Sequence, residues 1–181
     1  MNYLRELFSE KDAEFIISQS IGILAAAFLL LSFQQKTHKR IVVMQAVSGT
    51  LFAIQYFMLG AYEGMVGNLV GMTRCIAFSF RGKAKFFDSI FCPAVFAILA
   101  LVGGAITYES AASLLPMAAM AISSFVVWSP KTQKLRALTI PTSLMWLIYN
   151  VICGSYSGIA TEIFNQISII IGLIRFRNKS E

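Results

Sequence analysis

The chain has 181 residues, 57% of them hydrophobic and 13% charged, with a mean hydropathy of +0.70. Soluble domains carry roughly 45–50% apolar and about 25% charged residues, so this composition excludes an ordinary water-soluble protein and points to a polytopic membrane protein. Nine acids and one histidine leave little material for a hydrolase or a zinc site, and the meaning of the net charge of +6 depends on where the positives sit.

Taken in chain order, residues 1–14 form an acidic leader, with Glu6, Glu10, Asp12 and Glu14 against Arg5 and Lys11. A signal peptide begins with a positive stretch, so the apolar run that follows is read as a span. A helix needs about 20 mostly apolar residues to cross the hydrocarbon core. Seven such runs occur: Phe15–Phe33, Ile41–Leu59, Gly64–Phe80, Phe86–Ile106, Ala111–Trp128, Ala137–Cys153 and Gly158–Phe176. Stretches such as Ile23–Leu31 are apolar all round, unlike the alternating strands of a membrane β-barrel. The expected fold is an all-α polytopic membrane protein. Residues 15–80 make one three-helix bundle, 81–110 a linker helix, 111–176 a second three-helix bundle and 177–181 a tail. Cys75, Cys92 and Cys153 are widely spaced, so neither a disulfide framework nor a metal site is expected.

The charges sort by side. Lys36, Lys39 and Arg40 follow the first span, and Arg81, Lys83 and Lys85 the third. Lys131, Lys134 and Arg136 follow the fifth, and Arg175, Arg177 and Lys179 the seventh. Twelve of fifteen positives therefore share one face, which the positive-inside rule makes cytoplasmic, with the N-terminus outside. Glu63 and Glu109 fall on the outer side. The basic balance is a topology signal, and no nucleic-acid partner is expected.

An internal repeat follows. Gly60-Ala61-Tyr62-Glu63-Gly64 resembles Gly154-Ser155-Tyr156-Ser157-Gly158 at a shift of 94, and Arg81 matches Arg175 at the same shift. Gln35-Lys36-Thr37-His38-Lys39 resembles Pro130-Lys131-Thr132-Gln133-Lys134 at 95, so one single-residue gap reconciles all three. Spans one to three then correspond to spans five to seven. The odd linker span makes both triplets enter the membrane from the same side, as parallel repeats.

A three-helix unit, a linker helix and a second three-helix unit with an outer N-terminus resembles the SWEET and PQ-loop superfamily, whose neighbours include the PnuC-type vitamin transporters. More closely, the chain is similar to the bacterial inner-membrane YgjV-type family. The stretches that carry this are Gly60-Ala61-Tyr62 leading to Arg74, Ser113-Leu114-Leu115-Pro116, Ile148-Tyr149-Asn150 before Gly154-Ser155, and Gly172-Leu173-Ile174-Arg175-Phe176. The resemblance implies a 3+1+3 transporter fold in the inner membrane. PQ-loop proteins place a Pro-Gln pair at the cytoplasmic ends of the first and fifth helices, where this chain reads Phe33-Gln34 and Pro130-Lys131. The first span has no proline, so a symmetric proline hinge is not expected.

Several residues are candidates for solute contact. Arg74 lies inside span three, where an arginine costs about 2.5–3.5 kcal/mol at the helix centre. It is read either as a carboxylate or anion contact or a gate ion pair, or as snorkelling along its stem to the interface. Glu162 is its obvious partner in charge, but it sits near the outer end of its span, so no direct pair is expected. Glu162, Asn165 and Gln166 share one face of span seven. By the resemblance, which puts an asparagine on each of the third and seventh helices at the sugar site, Asn68 and Asn165 become ligand contacts, although their shift is 97. Gln45, Ser48, Phe52 and Gln55 line one face of span two, matched by Thr139, Thr142, Trp146 and Tyr149 with Asn150 in span six. Aromatic rings flanked by amides suit a flat or ring-shaped polar solute. Gly60, Gly64, Gly67 and Gly71 step along one face at spacings that permit close helix approach.

The sequence therefore leads to an inner-membrane facilitator of a small polar solute (sugar-, nucleoside- or vitamin-like), working by alternating access, with substrate contacts at Gln55, Asn68, Arg74, Trp146, Asn150, Glu162 and Asn165. With Glu162 peripheral, facilitated diffusion is expected over proton coupling. The alternative is a non-transporting scaffold or receptor whose basic cytoplasmic loops engage a protein or anionic lipid. No enzymatic constellation is present and no cofactor is expected. The lipid bilayer is one partner and a homo-oligomer stays open.

Overall fold

The structure, a computed structural model, describes residues 2–32, 38–128 and 132–175. Its elements are α1 (Asn2–Ser32), α2 (His38–Met58), α3 (Tyr62–Phe78), the short α4 (Lys85–Asp88), α5 (Phe91–Ile106), a 3-10 turn (Ala111–Ser113), α6 (Leu114–Trp128), α7 (Thr132–Cys153) and α8 (Tyr156–Arg175). There is no strand among the described residues. Phe33-Gln34 and Pro130-Lys131, where a proline hinge would sit, lie outside the described residues, as do Lys36, Arg177 and Lys179.

Two stretches, Asp12–Ser32 and Ala111–Trp128, are long and apolar enough to cross a membrane by length and composition, and Val42–Met58, Phe91–Ile106 and Ala137–Cys153 are shorter apolar helices. The expected fourth span is interrupted. Its first residues form α4, Ser89 is extended with ψ 149°, and the continuous helix begins only at Phe91. Asp88 causes the break locally, because its Oδ1 accepts the Gly82 amide at 2.9 Å and folds the chain back. Pro93 then sits in the first turn of α5, where its missing N–H is no loss. Helices α3 and α8 hold many of the polar residues, including Asn68, Arg74, Glu162, Asn165 and Gln166.

Helices α1, α2 and α3 pack in succession, as do α6, α7 and α8. The two sets meet through α1 against α8 and through α3 against α6, while α5 rests on α3 and α6. The distribution of polarity is inverted relative to a soluble fold. Gln55, Asn150, Ser18, Ser32, Ser48, Ser124 and Ser155 are buried, whereas Ile98, Val102 and Ile106 of α5 and Ile167, Ile171 and Ile174 of α8 face outward. An exterior this apolar is suited to hydrocarbon and not to water.

The turns related by the shift of 94 are the same turn. Gly60 and Gly154 both have φ +70°, a value that glycine adopts without strain. Around Gly60 the bonds are Gly60 N to Phe57 O at 3.1 Å and Ala61 N to Tyr56 O at 2.8 Å, the pairing of a Schellman helix end. Ser155 N to Asn150 O at 3.0 Å repeats the second bond 94 residues on. Gly60 therefore belongs to this turn and not to the glycine face of α3. The rest of that face behaves as expected. A Cβ at Gly64 would fall 2.7 Å from Tyr56, and one at Gly67 would fall 2.9 Å from Trp146.

Candidate functional site

A cavity of about 500 Å³ lies among α1, α2, α3, α6, α7 and α8. Gln45, Ser48, Phe52 and Tyr56 reach it from α2, Asn68, Arg74 and Cys75 from α3, Trp146 and Asn150 from α7, and Thr161 and Glu162 from α8. Its aromatic wall is built from rings in contact, with the centroids of Tyr56 and Trp146 6.1 Å apart and those of Phe52 and Tyr56 6.4 Å apart. The helical spacing of Gln45, Ser48 and Phe52 explains why one face of α2 delivers all three. Ser48 spends its hydroxyl on the Ala25 carbonyl of α1 at 2.8 Å, which ties the wall to its neighbour.

At the Gly60 and Gly154 end, the helices are joined by two three-residue clusters. In one, Gln55 Nε2 donates to Ser157 Oγ at 2.8 Å and to Gln19 Oε1 at 3.4 Å. In the other, Tyr149 donates its hydroxyl to Glu63 at 3.1 Å, and Ser113 donates to the other carboxylate oxygen. Adding 94 to Gln19, Gln55 and Glu63 gives Ser113, Tyr149 and Ser157. Gln55 with Tyr149 and Glu63 with Ser157 are mates in the register of the turns, and Gln19 of α1 and Ser113 of the turn before α6 take like places, so each cluster joins the start and the second helix of one set to the third helix of the other. Between them Tyr56 donates to Asn150 Oδ1, and these two residues are themselves 94 apart. A buried polar group left unpaired is costly, and here each hydroxyl or amide finds its partner across the seam between the two sets.

Of the residues singled out from sequence, Asn68, Arg74, Trp146, Asn150 and Glu162 line the cavity together. Gln55 and Asn165 are outside its wall. Gln55 is fully buried and committed to Ser157, and Asn165 leans on Ser143 with Nδ2 to Oγ at 3.5 Å. Glu162 is not peripheral, as its place near a span end suggested. It forms part of the wall, accepting a hydrogen bond from Ser143. It is also the strict mate of Asn68, since the two are 94 apart. Arg74 Nη1 donates to Ser123 at 2.7 Å and Ser124 at 3.2 Å on α6, so its partners are two hydroxyls and not Glu162.

Glu63, Tyr56, Ser157 and Gln19 were not singled out by the sequence. Glu63 reads as a loop acid on the outer side, yet it is 6% exposed. The signal that would have found it was present: Glu63 is the mate of Ser157, and the matched stretch containing both was already aligned.

The Imp-YgjV family model, described as a bacterial inner membrane protein, matches residues 16–180. The inner membrane protein YgjV of Escherichia coli (strain K12) is 21% identical over 158 residues, covering 85% of this chain and 83% of that protein. No solved structure matches the chain.

Proposed function

The chain belongs to the Imp-YgjV family of bacterial inner membrane proteins, and from that premise we propose that it carries a small polar solute across the inner membrane by alternating access. In this reading it crosses the bilayer seven times, as two parallel three-helix bundles joined by a linker in the SWEET-like 3+1+3 order. Its N-terminus is outside and its C-terminus cytoplasmic, and it is not an enzyme. The observation that carries the reading is the cavity of about 500 Å³, walled by polar and aromatic side chains from both sets of three helices. Transporters built from parallel repeats bind solute near mid-depth at the repeat interface.

The seam at the Gly60 and Gly154 end supports the same reading. It is made of side-chain hydrogen bonds, and water can replace each of them as the sets part. Glu162 in the wall removes the ground for expecting uncoupled diffusion. The test is uptake of labelled sugars, nucleosides, vitamins and amino acids into liposomes holding the purified full chain. Saturable uptake of a member of the panel, lost in Trp146→Ala and partly kept in Trp146→Phe, is the expected result. Indifference across the whole panel, with the protein folded and oriented, would overturn it in favour of a membrane scaffold.

A further inference from the structure

We propose that the cavity binds a small zwitterion, an amino-acid-like molecule whose carboxylate meets Arg74 and whose ammonium meets Glu162. The proposal rests on the transport reading of the same cavity and names its substrate class. Among the described residues that wall the cavity, Arg74 is the one cation and Glu162 the one carboxylate. Each is held in place by neutral groups: Ser123 and Ser124 for Arg74, Ser143 and Asn165 for Glu162. Arginine has five N–H donors, and only those on Nη1 have these partners. Both charges therefore sit in the low-dielectric interior without a counter-charge, and such residues mark a substrate path.

They are also set apart in depth. In the register of 94 Glu162 corresponds to Asn68, and Arg74 lies six residues beyond Asn68 on α3, about 9 Å along the axis at 1.5 Å per residue. A ligand bearing one charge satisfies one residue and leaves the other facing a like charge or none. A neutral sugar leaves both uncompensated. A zwitterion neutralises both without adding net charge. The faces of Phe52, Tyr56 and Trp146 suit the remainder, because an aromatic face accepts an ammonium or an apolar side chain.

The test is a charge-deletion series on the purified full chain, read as thermal stabilisation and as apparent affinity. The probes are alanine, phenylalanine, 3-phenylpropionate (carboxylate alone), phenethylamine (ammonium alone) and glucose. An amino acid is expected to stabilise, and removal of either of its charges is expected to weaken binding about tenfold or more. Arg74→Gln abolishes the preference for the carboxylate, whereas Arg74→Lys keeps it in part. In Glu162→Gln, 3-phenylpropionate binds more tightly than to the parent chain, because the repelling carboxylate is gone. That gain of binding cannot come from a misfolded variant. The proposal is overturned by stabilisation with glucose alone, by equal binding of all four charged probes, or by no response to either amino acid. Amino-acid binding without uptake into liposomes would overturn the transport reading and leave the zwitterion site standing, whereas glucose uptake would do the reverse.

Discussion

At the Gly60 end of the first helix set and the Gly154 end of the second, both glycines have φ +70°, the matching capping bonds are 2.8 and 3.0 Å, and the polar clusters pair residue for residue at a shift of 94. Deeper in the same helices the equivalence lapses. Asn68 is matched by Glu162, Arg74 by Ser168, and the serines that hold Arg74, Ser123 and Ser124, by the apolar run Phe28-Leu29-Leu30. The turns are constrained by backbone geometry and close packing, which tolerate few residues. In the transport reading the cavity is constrained by its solute, and a solute without two-fold symmetry has no use for a symmetric wall. The difference separates a frame, where the two sets must agree, from a site, where their disagreement carries the chemistry.

The largest expected effect bears on the frame. Gly64 and Gly158 are mates, and a Cβ on Gly158 would lie 2.5 Å from Asn150 Oδ1, as one on Gly64 would lie 2.7 Å from Tyr56. Valine at either position pushes against the Tyr56–Asn150 pair from opposite sides. Gly64→Val and Gly158→Val are each expected to cost about 3 kcal/mol, the upper end of the usual overpacking penalty, and by similar amounts. Melting of the detergent-purified variants measures this, and a loss confined to one of the two would break the equivalence of the turns.

An intermediate effect tests the clusters, which share geometry but not charge. Glu63→Ala leaves the hydroxyls of Ser113 and Tyr149 without their acceptor, at a cost of about 2 kcal/mol. Ser157→Ala in the mate cluster removes a neutral hydroxyl, and about 0.6 kcal/mol is typical of such bonds between membrane helices. If the two losses came out equal, the carboxylate would contribute nothing beyond a hydroxyl, and the clusters would be alike in energy as well as in register.

Much of the frame was legible in the sequence because it depends on local signals. The matched stretches around Gly60 and Gly154 announced the repeat, although the helical spacing put Gly60 on the glycine face, and the 3- and 4-residue spacing of Gln45, Ser48 and Phe52 announced one face of α2. The break after Asp88 was hidden, because Phe86–Ile106 reads as one apolar run and the bond from Gly82 to Asp88 is a matter of chain reversal. The cross-set pairs were hidden for a different reason. Glu63 meets Tyr149 and Gln55 meets Ser157 only because the third helix of each set packs against the other set, and hydropathy carries no information about that exchange.

The smallest expected effect decides which residue of α8 stands opposite Asn68. Similarity of residue type favours Asn165, at a shift of 97, and register favours Glu162, at 94. Asn165 makes a 3.5 Å contact to Ser143, at the limit of a hydrogen bond, and does not wall the cavity. Asn165 touches the site only through its hydrogen bond to Glu162, so Asn165→Ala is expected to change stability by less than about 0.5 kcal/mol and to weaken solute binding less than Glu162→Gln does. Glu162→Gln keeps the size of the side chain and an acceptor for Ser143, so it too folds, yet it alters solute binding by removing a charge from the wall. Titration of both variants with the same solute separates the two readings. Binding lost in Asn165→Ala and kept in Glu162→Gln would mean that residue type, not register, aligns the two sets at the site, and the asymmetry of the cavity would then be smaller than the strict shift makes it.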